Sequence, residues 1–257
     1  MNMHIEIIKL GGGVWQFAEC DEAGNDYVDA YLVAGEKRAL LIDALCVTDD
    51  LYKKVRAVTN LSFDAALTHG HADHAGASTP ELLKNCGVHI DKKDLFLSDY
   101  LAGAKKIKPL ADGQVFRLGG RELEVIAVCG HTPGSVVLLD RANRLMFSGD
   151  TIGSGNFWMQ LPESLPLEEF YANLERLRKI TEPLGGLTIY PGHRRQGSLL
   201  VTEQYIADVA AATRRIIEGS LKGRAKTMDY GPKKINYRLT GLRSIRGYCY
   251  DPMKIKK

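Results

Sequence analysis

Hydrophobic and polar residues alternate over the first ten positions, and short apolar runs separated by turn residues follow along most of the chain. Alternation with a period of two predicts half-buried strands, and short β-branched runs predict buried ones. The pattern predicts strands at residues 5–10, 14–17, 27–33, 39–43, 65–68, 88–90, 115–118, 122–128, 135–139, 145–147 and 187–190. The triple glycine at 11–13 predicts the first turn.

Apolar residues at helical spacing predict helices at 49–58, 92–101, 167–179 and 199–218, the last ending at Gly219. Residues 235–239 and 245–250 are typical of a C-terminal hairpin. Strand runs on either side of interspersed helices predict an α/β fold with two sheets and the helices outside them.

Composition is typical of a globular protein, with 257 residues, 45% hydrophobic and 25% charged. No apolar run approaches the ~18 residues of a membrane span, and the start lacks the features of a signal peptide. We therefore expect a cytoplasmic protein that does not enter a membrane. None of the five cysteines lies in a CxxC pair, so no disulfide framework is expected. Cys129, two residues before His131, is predicted to be a small buried residue rather than a thiolate ligand.

The net charge of +3 is unevenly distributed. Residues 219–257 contain eleven Lys and Arg but only two acidic residues, so the first 218 residues carry a net negative charge. Such a tail indicates either an anion- or nucleic-acid-binding segment or a basic segment that is docked on an acidic body or simply solvated, and the second interpretation is favoured. We expect a catalytic domain at 1–218 and a basic extension at 219–257 packed on the same domain.

Residues 69–74, HGHADH, place three imidazoles and a carboxylate directly after an apolar run. Buried histidines and aspartates need partners, and a metal ion would satisfy all four at once. His69 and His71 alternate and can point the same way, while Asp73 and His74 can turn toward a second position. One ion needs three or four protein ligands, so ligands from elsewhere are expected.

His131, Asp150 and His193 share one setting. Each follows a predicted strand in a glycine-containing turn, where sites are commonly built. His4 and His89 lack such surroundings and are expected to be structural. The sequence therefore predicts a metalloenzyme.

Five ordered motifs, from about Tyr27 to His193, resemble those of the metallo-β-lactamase superfamily. They are LID at 41–43, HGHADH at 69–74, GHTPG at 130–134, SGDT at 148–151 and PGH at 191–193. The resemblance implies an αββα sandwich of two mixed β-sheets with helices on the outer faces. Within the family, the complete ligand set is similar to the glyoxalase II and lactonase-like metallo-hydrolases.

The resemblance also implies two metal sites, occupied by zinc, with manganese or iron as alternatives. His69, His71 and His131 would hold one ion; Asp73, His74 and His193 would hold the other, with Asp150 bridging. Asp43 would brace the ligand loops through hydrogen bonds, as outer partners of metal ligands do.

Two such ions can share a hydroxide that attacks an electrophilic centre. Asp73 would bind a metal and orient this nucleophile, so Asp73 is the candidate catalytic residue. The expected reaction is hydrolysis of a small ester, thioester or lactone. Tyrosines in the basic end (Tyr230, Tyr237, Tyr248 and Tyr250) resemble the glutathione-binding side chains of glyoxalase II, but its motif does not match residue by residue.

Phe157, Trp158 and Met159 form an aromatic triplet flanked by Gly155 and Pro162. They are either a lid or wall of the substrate pocket or ordinary core. As a wall they would bind an apolar part of a small-molecule substrate, while the basic end would bind an anionic group. Three roles stay open for that end: it caps the site, it contacts a second subunit in a homodimer, or it does neither.

Three alternatives stay open. A persulfide dioxygenase would hold one iron with His71, His131 and Asp150. A nuclease or phosphodiesterase would use the basic tail to hold phosphates, although the acidic body disfavours nucleic acid. A non-catalytic relative would be expected to have lost ligands, and none is missing.

Overall fold

A computed structural model describes residues 2–153, 155–194, 201–241, 245 and 247–256. The strands are β1 (His4–Gly11), β2 (Val14–Cys20), β3 (Asp26–Ala34), β4 (Arg38–Ile42), β5 (Ser62–Ala66), β6 (Val88–Ile90), β7 (Ile107–Pro109), β8 (Val115–Arg117), β9 (Glu122–Ala127), β10 (Val136–Asp140), β11 (Leu145–Gly149), β12 (Asn156–Met159), β13 (Thr188–Pro191), β14 (Arg224–Tyr230), β15 (Lys233–Thr240) and β16 (Gly247–Tyr250). The α-helices are α1 (Leu51–Val58), α2 (Thr79–Asn85), α3 (Leu167–Thr181) and α4 (Glu203–Ile217).

Two mixed sheets form the centre of the molecule. The first has the order β1-β2-β3-β4-β5-β6-β7, antiparallel up to β4 and parallel from β4 to β7. The second has the order β13-β11-β10-β9-β8, in which β13 runs parallel to β11. A third sheet, β12-β16-β15-β14, joins the C-terminal strands to β12 through a parallel pairing.

Apolar side chains from the two central sheets pack against each other, as Tyr31 and Leu40 from the first sheet and Phe147 from the second illustrate. Helices α1 and α2 cover the outer face of the first sheet through residues such as Leu51 and Leu82. Helices α3 and α4 cover the outer face of the second. The fold is therefore the expected α/β sandwich with helices outside, to which the third sheet is added.

The prediction of a helix at 92–101 is wrong. The chain there forms a 3₁₀ turn over Lys92–Asp94 followed by further turns. Local side-chain bonds replace the helical ones, because Asp91 accepts from the backbone N–H of Lys93 and Ser98 from that of Tyr100.

The C-terminal elements also differ from expectation. The last helix begins at Glu203 rather than 199, and residues 199–200 lie outside the described ones. The predicted pairing of 235–239 with 245–250 is present as β15 with β16, of which residue 246 is not described. Strands β7, β12 and β14 were not predicted. In the described part of the chain, no helix has the length and hydropathy that a membrane crossing requires.

Candidate metal centre

Turns at the ends of strands from both central sheets meet at one edge of the sandwich. The hexapeptide 69–74 follows β5, while His131, Asp150 and His193 follow β9, β11 and β13. Because the two sheets pack face to face, these turns bring together side chains that are up to 124 positions apart in the chain (His69 to His193). All seven predicted ligands lie here.

The first group consists of His69, His71 and His131, with one ring nitrogen of each within 4.8 Å of the others. His71 Nδ1 lies 3.1 Å from His69 Nε2 and 2.9 Å from His131 Nε2. Tetrahedral zinc with bonds of about 2.0–2.1 Å spaces its ligand atoms ~3.3 Å apart. The three nitrogens are therefore close to the spacing that one ion requires.

The second group consists of Asp73, His74, Asp150 and His193. His193 Nε2 lies 3.4 Å from both Asp73 Oδ2 and Asp150 Oδ1. His74 Nε2 is fully buried and forms an ion pair with Asp150 Oδ1 at 3.2 Å, but without the alignment of a good hydrogen bond. A buried nitrogen left in this way is costly unless a metal ion occupies the space before it.

Asp150 stands between the two groups. Its Oδ1 faces His74 and His193, whereas its Oδ2 lies 3.7 Å from His131 Nε2. One carboxylate thus presents an oxygen to each group.

The outward ring nitrogen of each of the five histidines has an oxygen partner. His69 Nδ1 faces Thr68 Oγ1 at 3.2 Å, and His131 Nδ1 donates to the Trp158 carbonyl at 2.9 Å. The remaining partners are Glu163 for His71, Asp43 for His74 and the Tyr27 carbonyl for His193. Such bonds fix the tautomer and leave the inward nitrogen as a lone-pair donor, which is the form that ligates metals.

Electrostatics differ between the groups. Burial, reinforced by the neighbouring His71, lowers the pKa of His131 to about 4, and burial holds that of His69 well below its usual value. Burial alone would also lower the pKa of His74, but the carboxylates of Asp150, Asp43 and Asp73 outweigh it and raise the pKa to about 10. Burial therefore favours the neutral imidazole at His69 and His131, and the carboxylates of the second group attract positive charge, so both groups suit a divalent cation.

Two buried aspartates hold the ligand loops. Asp43 accepts hydrogen bonds from the backbone N–H and the hydroxyl of Thr68, at 2.7 and 2.9 Å, and from His74 Nδ1 at 2.9 Å. Asp94, which the sequence analysis did not single out, accepts from the N–H groups of Gly70 and Gly134 at 3.1 and 2.7 Å. Asp94 thereby ties the hexapeptide to the loop that carries His131.

A cavity of about 490 Å³ opens over both groups. Its lining residues are Tyr27, Cys46, His71, Ala72, Asp73, Leu97, His131, Asp150, Trp158, Leu161, His193 and Tyr230. Among these described residues, the side chains beyond the two groups are neutral and mostly apolar, with no lysine or arginine. Cys129 belongs to neither group and is only partly buried, not fully buried as predicted; this partial burial raises the pKa of its thiol.

The aromatic triplet divides between core and cavity. Phe157 and Met159 are buried in the core beside α3 and α4, whereas Trp158 lines the cavity. Side chains alternate across a strand, so the middle residue of the triplet points away from the face on which Phe157 and Met159 lie. The prediction that all three line the substrate pocket needs correction for Phe157 and Met159.

Glu163 was missed by the sequence analysis. Its Oε1 accepts from His71 Nε2 at 2.6 Å and from the Tyr230 hydroxyl at 2.7 Å. A single glutamate in a loop, 92 residues from its histidine partner, gives no signal in the sequence.

The comparisons with known proteins agree with this geometry. The family model of the metallo-β-lactamase superfamily matches residues 23–193. The acyl-coenzyme A thioesterase MBLAC2 of Gallus gallus is 26% identical over 220 residues, which cover 72% of this chain and 78% of that protein. The hydroxyacylglutathione hydrolase GloC of Haemophilus influenzae is 29% identical over 136 residues, covering 47% of this chain and 64% of that protein.

Solved structures resemble the fold at low sequence identity. A metallo-β-lactamase from Pontibacter korlensis matches with a TM-score of 0.67 and 18% identity, covering 82% of this chain and 99% of that one. ETHE1 from Myxococcus xanthus matches with a TM-score of 0.59 and 21% identity, covering 84% of this chain and 87% of that one. At these identities the similarity shows the fold alone. The family match over more than half of the chain shows that the protein belongs to the metallo-β-lactamase superfamily.

Proposed function

We propose that the chain is a two-metal hydrolase that cleaves a thioester, with a small ester or a lactone as the alternative substrates. The observation that carries the proposal is the pair of ligand groups that share Asp150, with each of the five histidines anchored through its outward nitrogen. His69, His71 and His131 would hold one ion, and Asp73, His74 and His193 the other, with Asp150 between them. Zinc fits this nitrogen-rich set best, and manganese or iron are alternatives.

Bound ions would supply a nucleophile at neutral pH and a Lewis acid for the carbonyl oxygen. The chain's own residues would do the positioning. Asp73, which lines the cavity, can accept a hydrogen bond from the attacking water and direct the lone pair of that water toward the substrate. Asp43 would keep His74 in its orientation, as the bond to Nδ1 indicates.

A thioester is favoured because the two relatives named above are, by name, an acyl-coenzyme A thioesterase and a hydroxyacylglutathione hydrolase. The cavity supports an uncharged acyl part, since Leu97, Trp158 and Leu161 line it and none of its described lining residues is a lysine or arginine. An anionic part of the substrate would then lie outside this cavity.

The second ligand group argues against the one-iron dioxygenase. With a single ion on His71, His131 and Asp150, the buried His74 Nε2 would face no cation. A nuclease is disfavoured because no lysine or arginine is among the described residues that line the cavity. Neither the described residues nor the comparisons give support for a homodimer.

The proposed division of the chain keeps a catalytic unit at 1–218 and an extension at 219–257 packed on it. Pairing of β16 with β12 supports this arrangement. The cytoplasm stays the predicted compartment, because all five cysteines are free thiols, as is typical of a reducing environment.

Thiol release from a panel of acyl thioesters tests the proposal. We expect zinc-loaded protein to hydrolyse at least one neutral acyl thioester, and Asp150→Asn to lose more than ~100-fold in kcat/KM. His4→Gln, at an exposed histidine far from the motifs, is the matched control and should retain full activity. Oxygen uptake with a persulfide, without thioester turnover, would overturn the proposal.

A further inference from the structure

Glu163 lies in the short loop between β12 and α3, over the first ligand group. Its side chain is only 7% exposed, and one oxygen, Oε1, accepts from both His71 Nε2 and the Tyr230 hydroxyl. Hydrogen bonds to an ionised carboxylate are charge-assisted and are stronger than hydrogen bonds between neutral groups. Burial would raise the pKa of Glu163, but these two bonds outweigh it and lower the pKa to about 2.

The bond to Glu163 decides how His71 faces the site. Because Nε2 donates its proton to the carboxylate, Nδ1 is left as the lone-pair nitrogen, and it points at His69 and His131. His71 is the partly exposed member of the first group, whereas His69 and His131 are buried. It has less packing to fix its ring, so its orientation depends more on this contact.

The loop that carries Glu163 is held from the C-terminal segment, residues 219–257. The ammonium group of Lys254 donates to three backbone carbonyls of the loop, at Leu161, Pro162 and Ser164. Tyr230, on β14, holds the carboxylate itself. Two separate parts of the segment thus contact the same few residues.

The same loop reaches the other side of the group. Ser164 Oγ donates to the carbonyl of His131 at 2.9 Å. The backbone N–H of Leu165 donates to the carbonyl of Gly130 at 2.8 Å. A shift of the loop would therefore move both His71 and His131.

We infer that Glu163 is the positioning residue of His71, and that Tyr230 and Lys254 of the C-terminal segment hold Glu163 in place. The inference rests on the proposed two-metal function, because it assigns the segment a part in building the first metal site. It gives residues 219–257 a role that their positive charge alone did not indicate.

Zinc affinity, measured by competition with a chromophoric chelator, is the primary readout. Glu163→Leu removes the acceptor at similar size, and we expect the affinity for the ion held by His69, His71 and His131 to fall 10–100-fold, the usual cost of losing an outer partner. Glu163→Gln keeps an oxygen acceptor but carries no charge, so its zinc affinity should fall less than that of Glu163→Leu. Tyr230→Phe and Lys254→Met should each reduce affinity several-fold.

Each of the three residues has a matched control close to it in the chain. Glu169→Gln is an exposed glutamate of α3, Tyr237→Phe a tyrosine of β15, and Lys256→Met a lysine two positions after Lys254. Their zinc affinity should equal that of the unaltered protein. In Glu163→Gln, kcat should fall with little change in KM, because Glu163 does not line the cavity.

A merely structural Glu163 would give a different result. The melting temperature of the metal-free variant would fall while its zinc affinity stayed within about twofold of the unaltered protein, and this would overturn the inference. Should Glu163→Leu fail to fold, unchanged affinity in Glu163→Gln, Tyr230→Phe and Lys254→Met together would overturn it equally. If the unaltered protein binds no divalent ion, the proposed function itself fails, which is distinct from both outcomes.

Discussion

Asp43 follows β4 and connects it to the end of β5, the strand that precedes the histidine motif. Its backbone has a φ of 66°, in the left-handed region that aspartate and asparagine tolerate better than most residues. That conformation turns its carboxylate toward Thr68 and His74, where it accepts three hydrogen bonds. A residue with only acceptors is needed, because all three partners donate.

Asp43→Asn tests this requirement. Asparagine suits the backbone conformation, but its NH₂ group must face a donor of either Thr68 or His74. We expect the free energy of unfolding of metal-free protein to fall by about 1–3 kcal/mol, with weaker zinc binding. Urea unfolding measures the first. Asp49→Asn, at an exposed aspartate six positions later, should change neither quantity, and equal stability of the two variants would refute the role of Asp43.

Gly192 shows why a residue without a side chain precedes His193. A Cβ at this position would overlap the His74 ring and lie 2.9 Å from Asp150 Oδ1. Its carbonyl also accepts from the backbone N–H of Asp29 at 2.7 Å, which fixes the turn. The backbone therefore cannot easily move away from the second ligand group.

For Gly192→Ala we expect the ion of the second group to bind at least ~10-fold more weakly, because the methyl group displaces His74 or Asp150. Zinc content after dialysis measures this loss. If Gly192→Ala binds two ions as tightly as the unaltered protein does, the turn can adjust to the methyl group and the prediction is wrong.

Some residues of the candidate site could be predicted from the sequence, and others could not. The seven ligand residues stand in motifs with fixed spacing and a shared position after strands, and the structure brings all seven together. Glu163 and Asp94 act through contacts with residues distant in the chain and lie in no recognisable motif. Only the folded chain shows which lone acid meets which histidine.

At the level of elements, Asp64 connects four neighbouring strands of the first sheet. From β5 its Oδ2 lies 3.4 Å from Arg38 on β4, 3.4 Å from His89 on β6 and 3.6 Å from Lys108 on β7. The hydrogen bond from His89, aided by the Lys108 ammonium, holds the pKa of Asp64 at about 2, although partial burial acts in the opposite direction.

A lowered pKa stabilises the folded state above the unfolded value of about 3.9, and this contribution is lost as the pH falls through about 2. For metal-free Asp64→Asn we therefore expect a loss of about 1 kcal/mol at pH 7, discounted for partial exposure, and a smaller loss at pH 3. Urea unfolding at both pH values measures it. A loss that is equal at both, or larger at pH 3, would contradict the assignment; Asp99→Asn, at an exposed aspartate, is the control.

Elements with a regular apolar pattern were predictable, and the others were not. Helix α3 has Phe170, Leu174 and Leu177 on one buried face, as the spacing indicates. Strand β14 is largely exposed, so its sequence lacks the alternation that identifies a strand. In the segment 92–101, side-chain bonds to the backbone override an apolar spacing that resembles a helix.

On the scale of the whole molecule, the two sheets supply the ligands and the third sheet completes their surroundings. Turns of the first sheet carry the hexapeptide, and turns of the second carry His131, Asp150 and His193. The third sheet contributes Trp158 and Tyr230 to the cavity wall. No lysine or arginine of residues 219–257 is among the described residues that line the cavity. Lys254 of this segment instead contacts the loop that carries Glu163.

Metal content per chain, determined by elemental analysis before and after zinc supplementation, tests the two-metal centre most directly. Two ligand groups that share Asp150 predict about two divalent ions per chain, and about one ion per chain in Asp150→Asn. Thioester turnover should rise in proportion to the loading of the second ion. One tightly held iron per chain, unchanged by zinc and accompanied by oxygen uptake with a persulfide, would contradict it.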